Sequence, residues 1–145
     1  MLNIKFVFEI EPVQQIRPRA RRLRDKVIMY DPKAVKVFKR RIGRLAHQMM
    51  KESGCIRYEG KPLTVDVWFF RPVQEKISKK EKARRIRGTV LPIVKPDCDN
   101  YIKSLLDGMN GVVWKDDALI TDIFAHKRYS DKPRIEITIM ETEAY

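Results

Sequence analysis

Apolar residues along this chain keep two periods, and each period predicts an element. From Leu2 to Ile10 they alternate: Leu2, Ile4, Phe6, Phe8 and Ile10 face one way, Asn3, Lys5, Val7 and Glu9 the other, as in a half-buried strand. A second alternation over residues 62–70 sets Leu63, Val65, Val67 and Phe69 against Thr64, Asp66 and Trp68. Between them, Val35, Phe38, Ile42, Leu45 and Met49 recur at spacings of three and four, the core-facing stripe of a helix running to about Lys51. Asp31 stands where its N-cap belongs, Pro32 at its first position, and Ser53-Gly54 ends it. Helical spacing returns over residues 98–109, where Tyr101, Ile102, Leu105, Leu106 and Met109 share one side. Residues 27–30 read as a short strand, and residues 120–129 and 134–141 as two final strands joined in a hairpin across Ser130-Asp131-Lys132-Pro133. Residues 11–26 break every period, and Pro12 and Pro18 predict a loop that orders on phosphates. Ser78 to Glu81 has the spacing of a capping box, which predicts a helix over 79–87 with a thin apolar face, either a DNA-facing flap or a solvated helix. The sum is α+β: one domain, residues 1–145, with a small mixed, mostly antiparallel sheet and two or three helices on one face.

Composition narrows the class. A chain of 145 residues with 43% hydrophobic content buries a core on its own. The net charge of +12 is gathered in blocks: six Arg or Lys in residues 17–26, seven in 33–51 and eight in 71–87, against one, no and two acids. Such an excess points to a polyanionic partner, most often nucleic acid; the alternative is a merely soluble basic surface. No apolar run spans a bilayer and Met1 to Ile10 lacks a signal pattern, so no membrane partner and a cytoplasmic location are expected. The two cysteines, Cys55 and Cys98, suggest a reducing compartment, with Cys98 a small apolar group. His47 and His126 have no partners at metal-ligand spacing.

Against this cationic background, residues 95–120 read KPDCDNYIKSLLDGMNGVVWKDDALI. Five aspartates, Asp97, Asp99, Asp107, Asp116 and Asp117, fall within 21 residues. Asp97 sits at the N-cap of the second helix; Asp99, Lys103 and Asp107 lie in a stripe on successive turns, away from the apolar side. Taken singly, each aspartate has a structural reading as cap, turn former or solvated acid, and Lys103 as an i,i+4 partner of Asp99 and Asp107. Together they repel, by about 1 kcal/mol per close pair even at water-like dielectric, and a cation removes that cost. Oxygen donors without a His or Cys cluster favour Mg²⁺ or Mn²⁺ over Zn²⁺.

The run PDCDNYIKSLLDGMNGVVWKDDALI resembles the signature of the RusA family of Holliday junction resolvases: a P-D-x-D-N-x-x-K core, an aspartate four residues on, and a later D-D pair. PVQQIRPRARRLRDKVIMYDP is similar to that family's other recurring stretch, at the family's spacing, so the resemblance covers nearly the whole chain. It implies a RusA-like fold, a homodimer and a Mg²⁺-dependent endodeoxyribonuclease that cuts four-way junctions in recombination and repair, bacterial or phage-encoded. By the same resemblance Asp97, Asp99 and Asp117 form the catalytic cluster and are expected as metal ligands, and a lysine at the position of Lys103 is expected on the scissile phosphate; beside them Asp116 is read as an auxiliary acid and Asp107 as a partner of Lys103. Arg17, Arg19 and Lys95 are expected on DNA phosphates. The competing reading is a non-cleaving nucleic-acid-binding module whose acids serve as caps or as a structural ion site.

Overall fold

Strict alternation makes Leu63–Arg71 (β4) the strand the sheet is built on, and its inward residues Leu63, Val65, Val67 and Phe69 are fully buried. In the computed structural model, which describes residues 3–144, β4 is flanked by Arg134–Glu141 (β6), antiparallel, and Ile120–Tyr129 (β5), parallel. Ile4–Phe8 (β1) closes the far edge against β6, giving the four-stranded order β1-β6-β4-β5. The fold is α+β with a mixed sheet, as the hydropathy pattern predicts.

Several expectations fail. The last two strands are not a hairpin, because β4 lies between them. Alternation states which face a strand buries, not which neighbour it pairs with; β4 takes a partner on both edges, and the 130–133 connection crosses its end, where Ser130 N–H donates to the Arg71 carbonyl (2.9 Å). Residues 11–26 are not all loop: Arg19–Leu23 (β2) pairs antiparallel with Lys26–Tyr30 (β3) in a separate two-stranded sheet. Pairing satisfies the backbone there although no side chain is buried. β1 is shorter than the alternation suggests, and Leu2 lies outside the described residues.

The helix over Lys33–Ser53 (α1) buries Val35, Phe38, Ile42, Ala46 and Met50. Leu45 and Met49, expected in that line, are half-buried at its margin; side-chain size favours them in the sequence, but helix rotation turns small Ala46 inward between Ile42 and Met50. Its N-cap is Pro32, without a side-chain cap, and not Asp31. The Asp31 carboxylate instead accepts from Lys39 Nζ (2.7 Å) and Gln15 Nε2 (3.0 Å), and a bond from an ammonium outcompetes a cap. Gly54, left-handed at φ 70, ends the helix.

Lys79–Ile86 (α2) starts as the capping box predicts: Ser78 Oγ accepts from Glu81 N–H (3.1 Å). It buries nothing and is tied down through Arg85, which bonds Gln74 and the Tyr129 hydroxyl and lies over the Tyr129 ring. Cys98–Met109 (α3) buries the five apolar residues of its predicted stripe, plus Ser104 and Gly108, against α1 and the sheet. Among the described residues no helix is long and apolar enough to cross a membrane.

Candidate functional site

α3 carries the acids, and the way it is entered sets their positions. The chain reaches it through residues 94–96, whose Val94 and Pro96 carbonyls accept from Lys127 Nζ (2.7 and 3.0 Å), while the Lys95 carbonyl accepts from Arg71 Nη1 (2.7 Å). Two cations on neighbouring strands therefore hold the approach to Asp97. Asp97 is the N-cap residue, but its exposed side chain makes no capping bond. Asp99 follows in the first turn, exposed, with its Oδ2 3.7 Å from Lys103 Nζ. Cys98 between them is half-buried; burial pushes its thiol up, against the opposing charge of Lys127.

Asp107 departs from expectation. It pairs not with Lys103 but with Lys39 of α1, whose Nζ lies 2.6 Å from Asp107 and 2.7 Å from Asp31. Lys39 wins because it is held in the α1–α3 seam, 16% exposed, whereas Lys103 is 62% exposed and its charge is solvated. Burial works against the Lys39 ammonium, but the bonds to Asp107 and Asp31 outweigh it and raise its pKa above the ordinary lysine value.

Beyond α3, Asn110 to Trp114 folds back on itself: Gly111, at φ 79, donates to the Trp114 carbonyl (2.8 Å). Fully buried Trp114 donates its indole N–H to Asp117 Oδ1 (2.6 Å). Asp116 caps the 3-10 turn Asp117–Leu119, accepting from Ala118 N–H (3.0 Å). Asp117 is the least exposed of the five acids. Burial raises its pKa, the Trp114 bond opposes that, and the negative charges of Asp107 and Asp116 add to the rise.

Lys103, Asp107 and Asp117 line one shallow cavity of about 460 Å³, floored by Ile102, Leu106, Ile120 and Ile123 and closed on one side by Gln15. Asp99 is bridged to Lys103, one of the residues that line it. Among the described residues, no group of three or more His, Cys, Asp or Glu is gathered closely enough to hold a metal. The donor set is nonetheless of the right kind for a hard divalent ion: carboxylates only, with Asp117 already under strain from like charges. Asp97 and Asp99 are exposed and can rotate.

Arg17 and Arg19, expected on phosphates, are exposed, as is Lys95. Four contributors escaped sequence reasoning. Lys127 and Arg71 hold Asp97's approach, Lys39 holds Asp107 and Trp114 holds Asp117. Only Trp114 had a local signal, standing three residues before Asp117; the other three act across the fold.

Residues 9–140 match the family described as endodeoxyribonuclease RusA. A Bacillus subtilis (strain 168) protein named "Uncharacterized protein YqaN" is 38% identical over 143 residues, covering 97% of this chain and 98% of the relative.

Proposed function

The chain belongs to the endodeoxyribonuclease RusA family, and from that premise we propose that it is a Mg²⁺-dependent, structure-selective endodeoxyribonuclease that resolves four-way DNA junctions in recombination and repair. The observation that carries this reading is Asp117: a half-buried acid with raised pKa, sharing a cavity with Lys103 on a chain of net charge +12. Cations bring in the phosphates, and a carboxylate withheld from solvent is poised for a metal that accompanies them.

Phosphodiester hydrolysis needs an activated water, relief of charge on the pentacoordinate phosphorus, and help for the leaving 3′-oxygen. Asp97, Asp99 and Asp117 would hold a Mg²⁺, or a Mn²⁺ in its place, and that ion would supply Lewis-acid activation of water and relief of developing charge. The chain's own residues do the rest. Lys103 exchanges its exposed Asp99 partner for the scissile phosphate, as a point charge. The Trp114 indole orients one Asp117 oxygen and leaves the other to the reaction. Asp116, by capping the turn, fixes the Asp117 backbone. Arg17, Arg19 and Lys95 grip phosphates without reading sequence. A C2 homodimer in the bacterial cytoplasm, with a cellular or phage gene as its source, offers one such site to each of two symmetry-related strands.

The absence of a three-acid group among the described residues favours a second reading, a binding module that does not cut. Asp99→Asn and Asp117→Asn separate the two. On a synthetic four-way junction with Mg²⁺, the parent cuts and each variant loses about 100-fold or more in rate, while junction binding without metal is unchanged. A parent that cuts with neither Mg²⁺ nor Mn²⁺, or variants that cut as well as it does, leaves the binding module standing.

A further inference from the structure

Among the described residues, the β2–β3 ribbon is the one substructure exposed throughout, from Arg19 to Tyr30. An isolated two-stranded hairpin is marginal in water, and this one also shows solvent large apolar groups, Val27 at 67% and Met29 at 61% exposure. Paired residues share a face, so the register Ala20↔Met29 and Arg22↔Val27 puts Val27, Met29 and Arg22 together on one side. Arg19 and Arg21, opposite Tyr30 and Ile28, occupy the other. The tip residue Arg24 is left-handed at φ 53, a cation where glycine costs less.

The ribbon is anchored at the acidic cavity. Gln15, on the strand of chain leading in, donates to Asp31, on the chain leading out (3.0 Å), which closes the neck. Gln15 N–H also donates to the Asn100 carbonyl of α3 (2.8 Å), and Gln15 lines the cavity with Lys103 and Asp117. The ribbon's neck therefore lies beside the acids.

We propose that this ribbon is a wedge that seats Val27 and Met29 against unstacked bases at the branch point of DNA, with Arg19, Arg21 and Arg22 on the flanking phosphates. The inference rests on the reading that branched DNA is the ligand, and adds how the branch is told from ordinary duplex. Six Arg or Lys against one acid in residues 17–26 select a polyanion as occupant. A second copy of the arm would bring the same cations together, a repulsion that DNA replaces with attraction. Intact duplex hides base faces in its stack, whereas a branch interrupts stacking and exposes apolar surface that Val27 and Met29 match.

The test uses the full chain without divalent metal, so cleavage does not enter. The probes are a four-way junction carrying 2-aminopurine at the branch and a linear duplex of the same arms. Binding of the parent raises 2-aminopurine fluorescence. Val27→Ser/Met29→Ser, which alters only exposed groups and leaves thermal stability unchanged, abolishes that rise and cuts the preference for junction over duplex by about tenfold. Arg19→Ala/Arg22→Ala weakens both substrates alike and reduces the salt slope by about 2. The wedge is overturned if the Val27/Met29 variant keeps the rise and the preference. It is also overturned if that variant turns a dimer into a monomer by sedimentation, since the arm then covers a second copy. A parent that binds no DNA sinks the nuclease reading as well; a parent that binds junctions without any fluorescence rise, and cuts them once Mg²⁺ is added, sinks the wedge alone.

Discussion

Lys39 reaches two carboxylates at once, Asp31 at 2.7 Å and Asp107 at 2.6 Å, and so ties the neck of the ribbon to the helix of acids. The Lys39 bond is the main reason Asp31's pKa lies below its ordinary 3.8; burial opposes it and Gln15 helps. A carboxyl depressed in the folded state contributes stability above its unfolded pKa and loses it as pH falls through the folded value. Asp31→Asn should therefore cost about 1 kcal/mol at neutral pH, about 3 °C in Tm, for a partly exposed pair. Thermal melts of parent and variant should converge as pH falls below 3.8 and through the depressed Asp31 value, and a gap that persists in stronger acid contradicts the ion pair as its source. None of this is written locally: Asp31 looks like an N-cap until Lys39, two turns along α1, takes its carboxylate.

At the scale of elements, α1 and α3 meet through two glycines. A Cβ on Gly108 would stand 3.1 Å from Ile42 Cβ and from the Lys39 carbonyl oxygen, and one on Gly43 3.1 Å from the Gly108 carbonyl oxygen. That approach brings Asp107 within reach of Lys39. Gly108→Ala should destabilise by about 2 kcal/mol through overpacking, read as a lower denaturation midpoint. An unchanged midpoint means the helices separate freely. The periods of α1 and α3 were legible because an amphipathic helix repeats its apolar side every turn. The glycine contact was not, since Asp107-Gly108 reads equally well as a turn. Likewise β5 and β6 were legible as strands while their separation by β4 was not, because pairing depends on both edges of a third strand.

At the scale of the whole molecule, the cationic arm from Arg17 to Lys26 follows Gln15, which lines the cavity that holds Lys103, Asp107 and Asp117. If the arm's six cations each neutralise one phosphate, log K for DNA should fall with log salt at a slope of about −5, a loss of about three orders of magnitude between about 50 and 200 mM salt. Titrations at several salt concentrations check this, and a slope near zero removes phosphate contact as the basis of binding. The amino-acid sequence by itself determined the periods of the main strands and helices, the basic excess and the acid-rich motif of the RusA family, because each is a property of neighbours in the chain or of simple sums. Tertiary structure alone decided that β4 separates β5 from β6, that Lys39 and not Lys103 takes Asp107, and that the ribbon springs from the rim of the acidic cavity. Those are contacts between residues far apart in sequence, settled by how buried faces pack and by which charge lies closest and least solvated.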